Sequence, residues 1–293
     1  MPKGLTFYPL FSLRYPLNKT MKITSLSNPK IKHIVKLKQR KTRDETGLTI
    51  VDGLREVRRA RDAGAVFQEV FMCPEILRSF SGPDLVAEIF GWGYTVIEVT
   101  AAVFEKIAFG QRREGIAAVV RTPGIGMTSE AGQKLSDQSV VVVLEQVEKP
   151  GNLGAILRSC DGAGVDLVII ADPRTDVFSP NVIRASTGMV FSLPLMQGSS
   201  PEVLDFLKRK KIKIAAATPQ GSRNYFHADL TGPVALILGS EDQGLTSFWI
   251  DHADETLAIP MQGRADSLNV GITTALLVYE ALRQRGNFEE GQR

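Results

Sequence analysis

Apolar residues fall along this chain in two alternating rhythms. Near-continuous apolar runs at 140–144, 167–170 and 234–238 are the pattern of strands buried on both faces of a parallel sheet. Strands are predicted at 140–144, 166–171, 212–216, 234–238 and 256–259. Between and after them the spacing becomes helical and predicts helices over 152–162, 181–186, 201–210 and 267–285. Such alternation predicts an α/β fold with a mostly parallel sheet.

The first third of the chain carries a shorter version of the same alternation. Ile31, Ile34, Val35 and Leu37 form the apolar stripe of an amphipathic helix over 25–43. A strand at 48–51 and a helix at 53–63 with an Arg-rich face (Arg55, Arg58, Arg59, Arg61) follow. Further strands are predicted at 66–72, 95–99 and 116–120, and helices at 84–90 and 101–107. This divides the chain into a small α/β domain over 22–121, a Gly/Ser/Thr-rich linker over 122–138 and a larger α/β domain over 139–288. Residues 1–21, broken by Pro9 and Pro16, show no periodicity and read as a poorly ordered extension. Gly124-Ile125-Gly126 lacks the third glycine and the following helix of a dinucleotide loop, so a nicotinamide dehydrogenase is disfavoured.

Composition narrows the class. Of 293 residues, 43% are hydrophobic and 23% charged, as in soluble globular proteins. No apolar run reaches the roughly 18 residues of a membrane span, so no membrane partner is expected. Cys73 and Cys160 stand far apart, without metal-type Cys/His spacing. That pattern fits reduced thiols in a cytoplasmic protein with no zinc site. Net charge is only +3, yet residues 1–60 hold 14 Lys/Arg against four Asp/Glu, and the remainder 21 against 28. The basic run Lys36, Lys38, Arg40, Lys41 and Arg43 is therefore a candidate RNA-binding surface. A solvated helix face is the competing reading.

Three segments carry candidate chemistry. In the first, the strand ending in Glu145-Gln146-Val147-Glu148-Lys149-Pro150-Gly151 launches a helix bearing Asn152 and Arg158. A turn of that kind puts polar groups at the carboxyl edge of a parallel sheet, where open α/β sheets bind ligands. Asn can hold a ligand oxygen or amide, and Arg offers a fork of donors that suits phosphate. In the second, another buried strand ends in Gly239-Ser240-Glu241-Asp242-Gln243-Gly244-Leu245. Gly239 would let a ligand approach the main chain without meeting a Cβ, and Glu241 could accept hydrogen bonds from a helix end or a ligand. The third, Ile259-Pro260-Met261 through Ser267-Leu268-Asn269-Val270, opens a long apolar helix, with Ser267 suited to be its N-cap. Each segment alone is also compatible with an ordinary structural turn.

Together, Asn152-x-Gly154-x-x-x-Arg158, Gly239-x-Glu241-x-x-Gly244-Leu245 and Ile259-Pro260-Met261 followed by Ser267-Leu268-Asn269-Val270 resemble the SpoU (TrmH-type) RNA 2′-O-ribose methyltransferases of the SPOUT superfamily. Arg184-Ala185-Ser186-x-Gly188 resembles the strand-to-helix linker of that family. The resemblance spans 139–285, and the basic segment up to Asp52-Gly53 looks like the ribosomal-protein-like substrate-binding module of such enzymes. Lys149 departs from the family pattern, which often has Asp there, and Gly271 replaces a frequent Ser or Ala.

The resemblance implies a deep trefoil knot in the C-terminal domain and S-adenosylmethionine held by the knot loops. It assigns cofactor contacts to Leu238, Gly239, Ile259, Met261 and Leu268. It also implies that Arg158 acts at the ribose 2′-hydroxyl and that Asn152, Glu241, Ser267 and Asn269 form a supporting polar set. Arginine stays protonated, so binding a substrate phosphate while polarising the hydroxyl is easier chemistry than acting as a free base. Attack on a sulfonium methyl requires no metal, and His33, His227 and His252 lie outside the three segments. The two-domain layout favours 23S ribosomal RNA as substrate. A tRNA substrate and a non-catalytic RNA-binding assembly factor are the alternatives. Family members are generally homodimers, and the 268–282 helix has apolar surface for both core and interface.

Overall fold

The computed structural model describes residues 21–81, 84–109 and 114–286. All but the last residue of the expected N-terminal extension lies outside them, and Met21 instead begins a strand. The first sheet contains β1 (Met21–Ile23), β2 (Leu48–Asp52), β3 (Phe67–Met72), β4 (Val96–Val99) and β5 (Ile116–Arg121) in the order β1-β4-β3-β5-β2. Strands β1, β4 and β3 run parallel, while β5 is antiparallel to β3 and β2. Helices α1 (Pro29–Lys36), α2 (Arg40–Thr46), α3 (Leu54–Asp62), α4 (Pro74–Ser81), α5 (Asp84–Phe90) and α6 (Ala101–Ile107) accompany it.

The helix predicted over 25–43 is two helices. Asn28 caps α1, its Oδ1 accepting from the Lys30 N–H at 2.9 Å, and Pro29 takes the first position, where its missing N–H costs nothing. The break at 37–39 has a packing cause. Leu37 and Arg43 are both buried, yet on one straight helix residues six apart point about 120° away from each other. Breaking the helix turns both inward, and the Arg43 guanidinium reaches the Leu37 carbonyl at 2.7 Å. Helix α4, which begins at Pro74, and strand β1 were not anticipated.

The second sheet is wholly parallel. It comprises β6 (Val140–Glu145), β7 (Leu167–Ala171), β8 (Leu195–Gly198), β9 (Lys213–Ala217), β10 (Arg223–Asn224), β11 (Val234–Leu238) and β12 (Glu255–Ala258) in the order β10-β12-β9-β11-β6-β7-β8. Helices α7 (Pro150–Gly162), α8 (Pro180–Ala185), α9 (Ser200–Arg209), α10 (Ser247–His252) and α11 (Val270–Gln284) cover it. Every residue of β6, β7 and β11 is buried, which is why these strands read as continuous apolar runs. The edge strands β8 and β10 escaped prediction because they lack such runs. Helix α11 starts at Val270, not Ser267: Asn269 is the N-cap, its Oδ1 accepting from the Gly271 N–H at 2.9 Å.

The 122–138 segment packs rather than hanging free. The Gln197 N–H donates to the Ile125 carbonyl at 2.6 Å, and Met127, Ala131 and Leu135 lie against the core under α9. The two sheets are also tied directly. Thr49 Oγ1 donates to the Phe178 carbonyl at 2.7 Å, Arg184 pairs with Asp52 at 2.8 Å, and Arg59 donates to the Thr187 carbonyl at 2.7 Å. One apolar cluster runs from Val51 and Val57 through to Val142, Leu153 and Ile183.

Candidate active site

Strands β6, β11 and β12 end at the same edge of the second sheet, and the three segments singled out from sequence leave from there. Their convergence follows from a parallel sheet, which gathers its carboxyl ends on one side. They line one cavity of about 810 Å³, within the usual size range of small-molecule sites. Leu238 enters it from the end of β11, Gly239 and Glu241 from the loop that follows, and Asn152 from α7. Ile259, Met261, Ser267, Leu268 and Asn269 enter from the loop before α11.

At the mouth of this cavity lies a hydrogen-bonded set. Asn152 Nδ2 donates to Glu241 Oε1 at 2.7 Å, and Asn269 Nδ2 donates to Asn152 Oδ1 at 3.1 Å. The Glu241 carboxylate also accepts from the backbone N–H groups of Glu148 at 3.4 Å and Lys149 at 3.3 Å. It therefore sits on the amino end of α7, where the helix dipole favours an anion. Partial burial pushes the Glu241 carboxyl up. The hydrogen bonds from Asn152 and from the backbone N–H groups of Glu241, Glu148 and Lys149 together outweigh it and hold the group below its ordinary range.

Gly239 has a reason for being glycine that differs from the expected one. A Cβ there would lie 2.1 Å from the Gly244 carbonyl carbon and 2.3 Å from the Leu245 nitrogen. The space is filled by the chain's own backbone, closed by reciprocal Ser240–Gly244 bonds of 3.1 and 3.0 Å, with Gly244 at φ +68°. Glu145 fixes the far end of that loop: buried, it accepts from the Thr246 N–H at 2.8 Å and hydroxyl at 2.6 Å. Gly154 plays the same role for α7, since its Cβ would lie 2.3 Å from that of Ala185.

Arg158 is not brought to this cavity within its own chain. It is exposed on α7, beyond Asn152, and has no hydrogen-bond or ion-pair partner among the described residues. The neighbouring faces of α7 and α11 form a second, apolar groove of about 680 Å³, lined by Ala155, Ser159, Ile272, Leu276 and Tyr279. Ile272, Leu276 and Tyr279 are among the large exposed hydrophobic residues of the structure.

The basic run divides in two. Lys36, Arg40 and Lys41 are exposed. Two members of the run are committed to the fold instead. Lys38 Nζ donates to the carbonyls of Lys106 at 2.9 Å and Ala108 at 2.7 Å, and desolvation by burial lowers its pKa against the opposing charge of Asp52. Arg43 is 7% exposed and pairs with Asp176 at 2.6 Å. These two cations are spent on internal partners, which corrects their assignment to RNA.

Sequence reasoning missed Thr218, Pro219 and Gln220, which line the cavity from the end of β9. The carboxyl-edge rule applied to every strand would have found them. The three histidines line neither cavity. Cys160 is buried, which with the nearby Asp161 pushes its thiol up to about 12, so it is inert as a nucleophile. Among the described residues no group of three or more His, Cys, Asp or Glu is placed to hold a metal ion, and no helix is long and apolar enough to cross a membrane.

Comparison with known proteins adds the lineage. The SpoU rRNA Methylase family matches residues 139–279, and an MRM3-like substrate binding domain matches residues 28–118. The chain is 27% identical to the 23S rRNA (guanosine(2553)-2′-O)-methyltransferase RlmP of Bacillus subtilis, over 88% of this chain and 97% of the relative. A solved RNA 2′-O ribose methyltransferase superposes with a TM-score of 0.78 at 39% identity, covering 90% of this chain and 99% of the other. The AdoMet-bound rRNA methyltransferase from Sinorhizobium meliloti does so with a TM-score of 0.79 at 30% identity, covering 90% and 98%. Sequence motifs, parallel sheet and superposition agree, and the chain belongs to the SpoU rRNA methylase family.

Proposed function

We propose that this protein transfers a methyl group from S-adenosylmethionine to a ribose 2′-hydroxyl of structured RNA, with 23S ribosomal RNA as the substrate. The observation that carries this reading is the Asn152–Glu241–Asn269 set at the mouth of a cavity built by three loops from one sheet edge. The cavity fits the cofactor: apolar Leu238, Ile259, Met261 and Leu268 line it beside polar side chains and turn backbone, as an amphipathic ligand requires. When bound, S-adenosylmethionine supplies an electrophilic methyl group on a sulfonium.

The chain's own residues supply alignment and charge. Glu241, held as an anion, fixes the Asn152 amide, and Asn152 in turn orients Asn269. Ser267, exposed beside them, offers a hydroxyl to the sugar or the cofactor end. Holding reactants in line converts a bimolecular displacement into a positioned one. Arg158, without a partner among the described residues, is assigned to the substrate: it holds a phosphate and polarises the attacking hydroxyl.

The homodimer belongs to the same proposal. A second copy seated on the apolar groove of α7 and α11 would bring the edge of α7 that carries Arg158 into the interface, next to a cavity. The trefoil knot is likewise included; its support is that the 259–269 segment returns to line the same cavity as the loop after β11.

The test is methyl transfer from labelled S-adenosylmethionine to unmodified 23S rRNA transcript, with transfer RNA in a parallel arm. Label mapped to a ribose 2′-oxygen of the 23S rRNA is expected. Label on bases, or none on either RNA, would overturn the assignment, and label on the tRNA alone would replace the substrate.

A further inference from the structure

Three consecutive residues, Arg174, Thr175 and Asp176, join the basic helix α2 to the lip of the cavity. On one side the Arg174 carbonyl accepts from Arg40 Nη1 at 3.2 Å, and Asp176 accepts from Arg43 Nε at 2.7 Å. On the other, the buried Thr175 hydroxyl is shared between the carbonyls of Val147 at 2.8 Å and Glu148 at 2.6 Å. The Glu148 and Lys149 N–H groups donate to Glu241. The distance from α2 to the polar set at the cavity mouth is therefore bridged by a chain of hydrogen bonds of 2.6–3.4 Å, most of them with a charged partner.

At the centre of this bridge the Arg174 guanidinium is left on the surface. Its side chain is 56% exposed, and its one partner among the described residues is Glu148 at 2.5 Å, itself 48% exposed. Exposed ion pairs of this kind are weak and exchange readily. A guanidinium fork can bind a phosphodiester in the same two-pronged fashion as a carboxylate. Arg174 is flanked by exposed Arg40 on the α2 side and by exposed Lys149 on the cavity side. The cations Lys36, Lys41, Arg40, Arg174 and Lys149 thus form an exposed basic series leading from the N-terminal module to the cavity. Arg40, Lys41 and Lys149 meet Asp44, Glu45 and Asp242 loosely at 3.5, 3.9 and 3.7 Å, and Arg174 meets Glu148 closely at 2.5 Å.

We infer that Arg174 is a substrate-binding residue that takes a phosphodiester of the RNA next to the target nucleotide, and that Glu148 occupies its guanidinium until RNA displaces it. This rests on the methyltransferase reading of the cavity. The pinned loop sets the register between the RNA segment held on α2 and the ribose offered to the cavity. Glu148 acts as a competitor: it repels a phosphate approaching without the full set of cations, so RNA must satisfy Arg174 and its neighbours together.

The experiment measures filter binding of unmodified 23S rRNA transcript without cofactor, across a salt series, for the wild type, Arg174→Ala and Glu148→Gln. Unfolding midpoints and S-adenosylmethionine affinity are measured alongside. Arg174→Ala is expected to bind RNA about 10-fold more weakly and to flatten the log–log salt slope by about 0.7–0.9, the loss of one phosphate contact. Glu148→Gln is expected to bind a few-fold more tightly. Cofactor affinity and midpoint stay at wild-type values in both. Wild-type affinity and slope in Arg174→Ala would overturn the inference, as would weakened binding with an unchanged slope, which would make Arg174 a loop scaffold. A wild type that binds and methylates RNA while Arg174→Ala matches it leaves the proposed function standing and removes only this residue. A wild type that binds no RNA removes both.

Discussion

Asn152 donates a 2.7 Å hydrogen bond to Glu241 across 89 residues of sequence. A carboxylate only accepts, so this bond fixes which end of the Asn152 amide faces inward and turns its oxygen towards Asn269. The same bond sets a pH dependence. Glu241 has a folded pKa below its ordinary value, so its contribution to stability is present above the unfolded carboxylate range and is lost as pH falls through the folded value. Asn152→Ala removes the strongest donor. It is expected to cost about 1 kcal/mol at neutral pH, and the difference from wild type should shrink in urea unfolding as pH is lowered towards 3. A difference that grows on acidification would contradict the sign.

Gly239→Ala tests the closed loop. The new Cβ meets the Gly244 and Leu245 backbone at 2.1–2.3 Å, so the loop must open. A loss of about 1–3 kcal/mol in stability is expected, together with at least ~10-fold weaker S-adenosylmethionine binding by calorimetry. Unchanged affinity would detach this turn from cofactor recognition.

Arg158→Ala separates chemistry from folding. Because the side chain is exposed and unpartnered among the described residues, the unfolding midpoint and cofactor affinity should not move. Methyl transfer should fall by about 10²–10⁴ if Arg158 acts at the hydroxyl. Near-normal single-turnover rates would take Arg158 out of that role.

Arg43→Ala and Lys41→Ala distinguish a structural cation from an RNA-facing one. Removing Arg43 leaves Asp176, 16% exposed, without its cationic partner, holding only the Phe178 N–H among the described residues, a change that costs about 3–5 kcal/mol for buried pairs. Lys41 is 86% exposed and only loosely paired with Glu45 at 3.9 Å. Its loss should leave stability unchanged and weaken RNA binding with a flatter salt slope. Thermal unfolding and filter binding read both effects.

Leu276→Glu addresses the apolar groove. Leu276 is 36% exposed between Ile272 and Tyr279, so a charge there should be tolerated by the monomer and not by a dimer interface. Light scattering is expected to show a dimer for wild type and a monomer for the variant. Equal masses would assign the groove to another partner or to none.

The residue pattern alone determined the buried strands, most of the helices and the lineage. Strands β6, β7 and β11 are legible because burial on both faces demands uninterrupted apolar side chains, a demand written locally in Val140 to Leu144 and Val234 to Leu238. Three glycines are legible for a similar reason: Gly239 and Gly154 stand where no side chain fits, and Gly244 takes a φ of +68° that favours glycine.

Tertiary structure decided what each polar group does. Nothing local separates Arg43 from Lys41, two residues away; only the packing of α2 against Asp176 buries one and leaves the other in water. Helix α1 stops at Lys36 because Leu37 and Arg43 must both face inward. Glu241 settles at the amino end of α7, and the Asn269 side chain meets Asn152, through contacts between segments some 90 to 120 residues apart. Hydrophobic periodicity reports the free energy of burial, which each segment expresses by itself. Hydrogen bonds and ion pairs depend on which distant group arrives, and that is settled only when the sheet edges come together.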